Sequence, residues 1–164
     1  MITLYHGSNT RITNIDLSCC NPYKDFGKAF YLTTVKEQAM EVAGARVDIW
    51  GGNPVVNAFS FDEKLLTDGT LTFKSFDAYT EEWADFIFQH RDETIIPPYQ
   101  HSFDVVYGPI ANDRVGLQIR NYRLGNIDKE EFLRRLKYMK GITFQYAFCT
   151  ERAIEKLLHY DECK

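Results

Sequence analysis

The sequence of 164 residues contains no run of 18 apolar side chains, the length that a membrane-spanning helix requires. Residues 1–6 have neither the basic nor the apolar segment of a secretion signal. With a formal net charge of −4, the chain has no general excess of lysine and arginine to capture a phosphate backbone. We therefore expect a cytoplasmic protein without membrane contact. A nucleic-acid substrate stays open, because an acidic protein can carry a local basic patch.

Metal and phosphate motifs are also missing. The chain has four cysteines: Cys19, Cys20, Cys149 and Cys163. They form no CxxC pair and no HxxxH helix accompanies them, so we expect free thiols and no metal. Cys19 and Cys20 are neighbours, which makes a disulfide between them geometrically awkward. Gly51-Gly52 lacks the lysine and hydroxyl residue of a P-loop and the spacing of GxGxxG.

What the chain does have is aromatic residues, with 12 Phe and 10 Tyr in a composition that is 45% hydrophobic. This favours one strand-rich α+β domain over residues 1–164. Alternating patterns predict strands at 2–6, 29–33, 55–61, 71–73, 104–107 and 142–148. Helices are predicted after the capping residues Thr34, Thr80, Asn112, Asp128 and Thr150.

Two of these helices carry specific expectations about burial. The first is predicted to end near residue 45 and to bury Val35, Ala39, Val42 and Ala43. The last is predicted to bury Ala153, Ile154, Leu157 and Leu158.

Three short phrases place chemically useful side chains on predicted strands. LYHGS at residues 4–8 contains His6, and FGKAFYLT at 26–33 contains Tyr31. An imidazole can donate to ribose hydroxyls, and a tyrosine ring can stack on a flat cationic ring, which suits an NAD pocket. Glycines beside both residues would let a nucleotide approach the backbone closely. In the strand at 142–148, alternation places Gln145 with Ala147 on the shallower face, opposite the core.

The ordered phrases YHGS (5–8), GKAFYLT (27–33) and QYAFCTE (145–151) resemble the ADP-ribosyltransferase superfamily. The likeness is to its His-Tyr-Glu branch, which includes diphtheria toxin and the poly(ADP-ribose) polymerases. The chain also resembles a compact bacterial family of uncharacterised ADP-ribosyltransferase-like domains, often regarded as toxins of toxin–antitoxin pairs. The resemblance implies a split β-core of two packed, mainly antiparallel sheets with flanking helices. The arginine-modifying branch is disfavoured, because position 6 is histidine and no Ser-Thr-Ser phrase occurs.

The resemblance implies three catalytic residues. His6 would hydrogen-bond a ribose hydroxyl and hold NAD in a bent conformation. Tyr31 would stack on the nicotinamide ring, and Gln145 would accept from the 2′-hydroxyl of the nicotinamide ribose.

It also implies a cofactor-binding set around them. Gly7 would offer its backbone N–H and C=O to the nicotinamide carboxamide, and Ser8 would add a hydroxyl. Gly27 and Lys28 belong to the same expected set. For Lys28, which could face a phosphate, a solvated position at a strand entrance is the alternative.

The implied activity is NAD-dependent mono-ADP-ribosyl transfer to a macromolecular acceptor, either protein or nucleic acid, with an antitoxin protein as a further partner. Gln145 departs from the superfamily, which more often has glutamate there. Cleavage of the nicotinamide–ribose bond gives the sugar oxocarbenium character that a negative group stabilises, and an amide brings no formal charge. Two alternatives therefore stay open: an NAD glycohydrolase, with water as acceptor, and a catalytically silent module that binds NAD or ADP-ribose.

Overall fold

The computed structural model describes residues 1–160, which form seven strands and five α-helices. The strands are β1 (Ile2–Ser8), β2 (Phe30–Leu32), β3 (Val55–Phe61), β4 (Phe73–Ser75), β5 (Val105–Pro109), β6 (Phe144–Phe148) and β7 (Leu158–His159). The helices are α1 (Lys36–Trp50), α2 (Glu81–Arg91), α3 (Asp113–Arg123), α4 (Lys129–Lys137) and α5 (Glu151–Ile154). None of these helices combines the length and apolar character needed to cross a membrane.

The strands form two sheets, with the orders β1-β3-β7 and β2-β6-β5-β4. All neighbouring strands are antiparallel except β4 and β5, which run parallel. The prediction of an α+β fold with two mainly antiparallel sheets is therefore confirmed. The sheets are joined where Tyr5 of β1 meets Thr33 just after β2. The Tyr5 N–H donates to the Thr33 carbonyl at 2.8 Å, and the Thr33 N–H donates to the Tyr5 carbonyl at 3.0 Å.

Two apolar clusters cover both faces of the four-stranded sheet. One joins side chains of the two sheets, including Leu4, Leu32, Phe59, Phe61 and Phe148. The other joins β5 and β6 to α2, α3 and α4 through Trp83, Ile87, Val106, Ile119, Phe132 and Ala147. The prediction of a shallow face beside Gln145 is wrong, because Ala147 on that face is fully buried. Sequence alternation separates the two faces but does not show that helices cover the second one.

Four of the five predicted helix caps are confirmed. The side chains of Thr80, Asn112, Asp128 and Thr150 each accept a hydrogen bond from the backbone N–H three residues further on. The prediction for Thr34 is wrong: α1 begins at Lys36 after Val35, and the Thr33 hydroxyl accepts from the Val35 N–H. The N-cap position is occupied by Val35 without a side-chain capping bond, so the Thr33 contact stabilises the turn before α1 and does not cap the helix.

The burial expected of the first and last helices is partly wrong. Helix α1 continues to Trp50 and buries Ala39 and Ala43, whereas Val35 and Val42 are 41% and 47% exposed. Helix α5 is a single turn, and Leu158 begins β7 and is 59% exposed. In α1 the close approach to β1 decides which side chains are covered, whereas Leu158 leaves the helix and pairs with Ser60 of β3.

Gly7 sets how closely α1 approaches β1. A Cβ atom added at Gly7 would lie 1.9 Å from the Ala39 carbonyl oxygen and 2.8 Å from the Ala43 nitrogen. The missing side chain therefore faces the helix backbone, and the small Ala39 and Ala43 complete the contact. Helix packing therefore requires the absence of a Cβ at Gly7, a reason that the sequence interpretation of a close nucleotide approach did not include.

We expect Gly7→Ala to reduce the free energy of unfolding by about 3 kcal/mol or more, since a rigid backbone carbonyl occupies the space of the new methyl group. Gly44→Ala is the matched control, because a Cβ at this α1 position meets no atom within 4 Å. It should raise stability by about 0.5–1 kcal/mol through helix propensity. Urea denaturation of both variants measures these changes. Equal effects in the two variants would refute the packing role of Gly7.

Candidate functional site

A cavity of about 300 Å³ opens where the two sheets separate beyond the bridge between Tyr5 and Thr33. Strand β1 stays paired with β3 and β2 with β6, so the edges of β1 and β2 diverge. Helix α1 supplies one wall through residues one turn apart: Gln38, Val42 and Arg46. The loop before β2 and the end of α2 complete the lining with Lys24, Asp25 and Arg91.

The three residues predicted as catalytic line this same cavity. His6 comes from β1, Tyr31 from β2 and Gln145 from β6, and Gly7 lies beside His6 in the lining. The structure therefore brings together side chains that are 25 and 114 residues apart in the chain, although their chemical roles stay predictions.

The other predicted binding residues lie elsewhere. Ser8 is buried, and its hydroxyl accepts from the Thr10 N–H. Gly27 has a φ of +80°, and a Cβ there would meet the His90 ring at 2.8 Å. Neither these two residues nor Lys28 belongs to the lining of this cavity or of the larger one beside it. Ser8 and Gly27 thus have local structural roles.

His6 is held as a neutral imidazole of one tautomer. Its Nδ1 lies 2.7 Å from the Tyr31 carbonyl oxygen, and its ring stacks on Phe30 with 4.3 Å between centroids. Burial lowers the pKa of His6 to about 4; the carbonyl contact opposes this shift and the Arg46 charge adds to it. Because a carbonyl only accepts, Nδ1 carries the proton and Nε2 keeps a lone pair. Nε2 of His6 is therefore a hydrogen-bond acceptor, whereas the sequence interpretation gave the imidazole the role of donor.

Tyr31 is fixed by its hydroxyl group. The phenol donates to the Gly27 carbonyl at 2.8 Å and accepts from the Phe26 N–H at 3.0 Å. Burial raises the pKa of Tyr31 well above its usual value, so the phenol stays protonated. Since the hydroxyl is used within the protein, the ring is the part of Tyr31 that can contact a ligand.

The backbone of Gly7 faces the cleft. Tyr5 directs both its N–H and its C=O towards Thr33, so these groups point to the β2 edge of the strand. In a strand the backbone groups of every second residue point to the same edge, and those of Gly7 follow Tyr5. The sheets have already separated at this position, which leaves the Gly7 N–H and C=O to a ligand in the cavity.

One polar network in the cavity was not predicted. The Asp25 carboxylate lies 3.0 Å from Nε of Arg91 and accepts from the Ala111 N–H at 3.3 Å. Gln145 lines the same cavity and lowers the pKa of Asp25. Burial raises the pKa of Asp25, and Arg91, Ala111, Lys24 and Gln145 oppose that rise. Asp25 directly precedes the quoted phrase at 26–33, but no sequence spacing connects it to Arg91 or Gln145.

A second cavity of about 650 Å³ adjoins the first. The two share His6, Lys24, Tyr31 and Arg46, so together they form one cleft around the imidazole and the phenol ring. Lys24 and Arg46 are the cations that line both parts. They occupy the position in the cleft that the sequence interpretation gave to Lys28.

Asp16, Cys19 and Cys20 line the larger cavity, but they do not form a metal site. Within residues 1–160 no three histidine, cysteine or acidic side chains are close enough together to hold a metal ion. Cys19, Cys20 and Cys149 are free thiols, and Cys163 lies outside the described residues.

The fold and the cleft define an α+β protein with a cavity, lined by apolar surface and by several charged side chains, where two sheets diverge. The chain belongs to the family described as "Protein of unknown function (DUF3990)", which matches residues 2–160. No curated protein and no solved structure matches the chain.

The lowered pKa values of His6 and His90, both about 4, predict that the protein loses stability on acidification. The unfolded chain takes up protons at about pH 6.5, whereas the folded chain does so only near pH 4, so acid in this interval favours unfolding. In this interval we expect each histidine to lower the free energy of unfolding by about 1.4 kcal/mol for each pH unit of acidification. His6→Asn, which keeps a donor towards the Tyr31 carbonyl, should remove the part of this pH dependence that comes from His6. Urea denaturation between pH 7 and pH 5 measures the free energy of unfolding of both proteins. An equally steep dependence on pH in the variant would contradict the prediction.

Proposed function

We propose that this protein is a mono-ADP-ribosyltransferase that binds NAD in the cleft and cleaves its nicotinamide–ribose bond. ADP-ribose would then pass to a macromolecular acceptor. The observation that carries the proposal is the convergence of His6, Tyr31 and Gln145, from three separate strands, on one cavity. Two mainly antiparallel sheets that diverge at this cavity agree with the split β-core that the sequence resemblance implies.

The geometry supports a definite mode for the nicotinamide riboside half of NAD. The carboxamide would pair with the N–H and C=O of Gly7, which both face the cleft. The cationic nicotinamide ring would stack on Tyr31, a contact worth about 0.5–2 kcal/mol. A ribose hydroxyl would donate to Nε2 of His6, the ring nitrogen left without a proton by the bond to the Tyr31 carbonyl.

The larger cavity would take the adenosine half of NAD. It continues the first cavity past His6 and Tyr31, so one bent dinucleotide can occupy both. Lys24 and Arg46 line both parts, where the pyrophosphate would pass, and their positive charges suit it.

The test is incubation of the purified protein with NAD labelled in its adenylate part and a cell extract. We expect nicotinamide release together with label transfer to a macromolecule. Release of free ADP-ribose alone would identify water as the acceptor and a glycohydrolase as the activity. A wild-type protein that neither binds NAD nor releases nicotinamide would refute the proposal.

Tyr31→Ala should weaken NAD binding by at least about tenfold, because the ring contact and its apolar burial are lost together. Tyr138→Ala is the matched control, since that tyrosine is 71% exposed and lies outside the cleft. Isothermal titration calorimetry gives both dissociation constants, and thermal melting checks that each variant is folded. Equal affinities in wild type and Tyr31→Ala would exclude ring stacking at Tyr31.

The uncharged side chain of Gln145 favours one alternative, a module that binds NAD without turnover. Calorimetric binding of NAD, with no nicotinamide released at any protein concentration, would support this alternative over the enzyme.

A further inference from the structure

Cleavage of NAD creates a positive charge on the ribose, and the side chain of Gln145 carries no negative charge to stabilise it. As the nicotinamide–ribose bond breaks, its electron pair leaves with the nicotinamide nitrogen, and the ribose carbon C1′ becomes cationic. A nearby negative group stabilises this state most effectively in a site that excludes water. Gln145 is neutral, so the chain needs another source of that charge if the proposed function is correct.

Asp25 is the acid that the cavity offers. The charged side chains in its lining, within the described part of the chain, are Lys24, Asp25, Arg46 and Arg91. The Asp25 side chain is 10% exposed and shares the cavity lining with Gln145, the residue expected to contact the 2′-hydroxyl. A carboxylate at this place is adjacent to the region where the ribose would react.

The surroundings of Asp25 orient its carboxylate, and neighbouring groups favour the charged form against the effect of burial. Arg91 pairs with Oδ1 at 3.0 Å, and the Ala111 N–H donates to Oδ2 at 3.3 Å. Lys24 adds a positive charge from the same loop, and Tyr31 stays a neutral phenol. Burial raises the pKa of Asp25, which strengthens it as a proton acceptor, while Arg91 counteracts that rise.

An ion pair kept only for stability is the competing explanation. It accounts poorly for this pair, because the cost of removing two charges from water largely cancels their attraction. A purely structural pair could therefore be replaced by two neutral amides without loss of the fold. The two explanations differ in what happens to NAD cleavage after that replacement.

Resting on the function proposed above, we propose that Asp25, in place of residue 145, provides the negative charge beside the ribose C1′ during cleavage. The C1′–N bond breaks and neutral nicotinamide leaves with the electron pair. The acceptor atom forms a new bond to C1′ and loses its proton to the Asp25 carboxylate, which later returns it to water. Arg91 is a positioning residue that holds the carboxylate.

The decisive variants remove the charges of Asp25 and Arg91, first one at a time and then both together. Asp25→Asn should reduce the rate of nicotinamide release by at least about 100-fold and change the NAD dissociation constant by less than about threefold. Asp48→Asn makes the same chemical change at an exposed position of α1 and should leave both values unchanged. Thermal melting establishes that each variant is folded.

Asp25→Asn/Arg91→Gln removes both charges and keeps the test informative if the single variant does not fold. This double variant should fold and bind NAD, yet release nicotinamide at least about 100-fold more slowly than wild type.

Arg91→Gln alone keeps the carboxylate, and its rate of nicotinamide release should stay within about tenfold of the wild-type rate. Its rate should begin to fall at a higher pH on acidification, because Arg91 lowers the pKa of Asp25.

Wild-type release of nicotinamide by the folded double variant would overturn the inference and leave the proposed function intact. An unshifted acid limb in Arg91→Gln would also count against Asp25 as the group that titrates. A wild-type protein that leaves NAD intact would instead overturn the proposed function, and this inference with it.

Discussion

Two backbone hydrogen bonds between Tyr5 and Thr33 are the constraint on which the cleft depends. They join the three-stranded sheet to the four-stranded one, and the strands diverge immediately beyond them. His6 follows Tyr5, and its ring nitrogen bonds the Tyr31 carbonyl two residues before Thr33. The hydrogen bond from the His6 ring to Tyr31 thus connects the two sheets just beyond the last backbone hydrogen bond between them. The same bond selects the tautomer of His6, so the junction of the sheets also determines which ring nitrogen can accept a hydrogen bond in the cavity.

Packing of the apolar core determines the position of the charged Arg91 side chain in the cleft. Helix α2 begins at the Thr80 cap and buries Trp83 and Ile87 against the four-stranded sheet. Its last residue, Arg91, therefore reaches Asp25, which lies in the loop before β2. A buried carboxylate is costly unless it is paired, and here the pairing comes from the end of a helix whose position the core fixes. The position of the ion pair between Arg91 and Asp25 in the cavity is in this way a consequence of apolar contacts.

The sequence predicted the elements governed by local rules. The caps at Thr80, Asn112 and Asp128 were correct, because a short polar side chain satisfies backbone groups only three residues away. Predictions failed where a distant contact decides the outcome. Val42 has the spacing of a buried residue, but α1 lies so close to β1 that a narrow strip of alanines fills the contact.

Sequence by itself determined the α+β class and marked His6, Tyr31 and Gln145 as residues for one pocket. The order of the phrases, and not any local pattern, carried that prediction. Only the tertiary structure brought Asp25 and Arg91 into the same cavity, because their contact joins segments with no spacing in common. It also decided which His6 nitrogen carries the proton, since burial and a carbonyl from another strand set its protonation. The sequence gives the type of each residue, whereas pKa values and ion pairs depend on distances between groups in the folded structure.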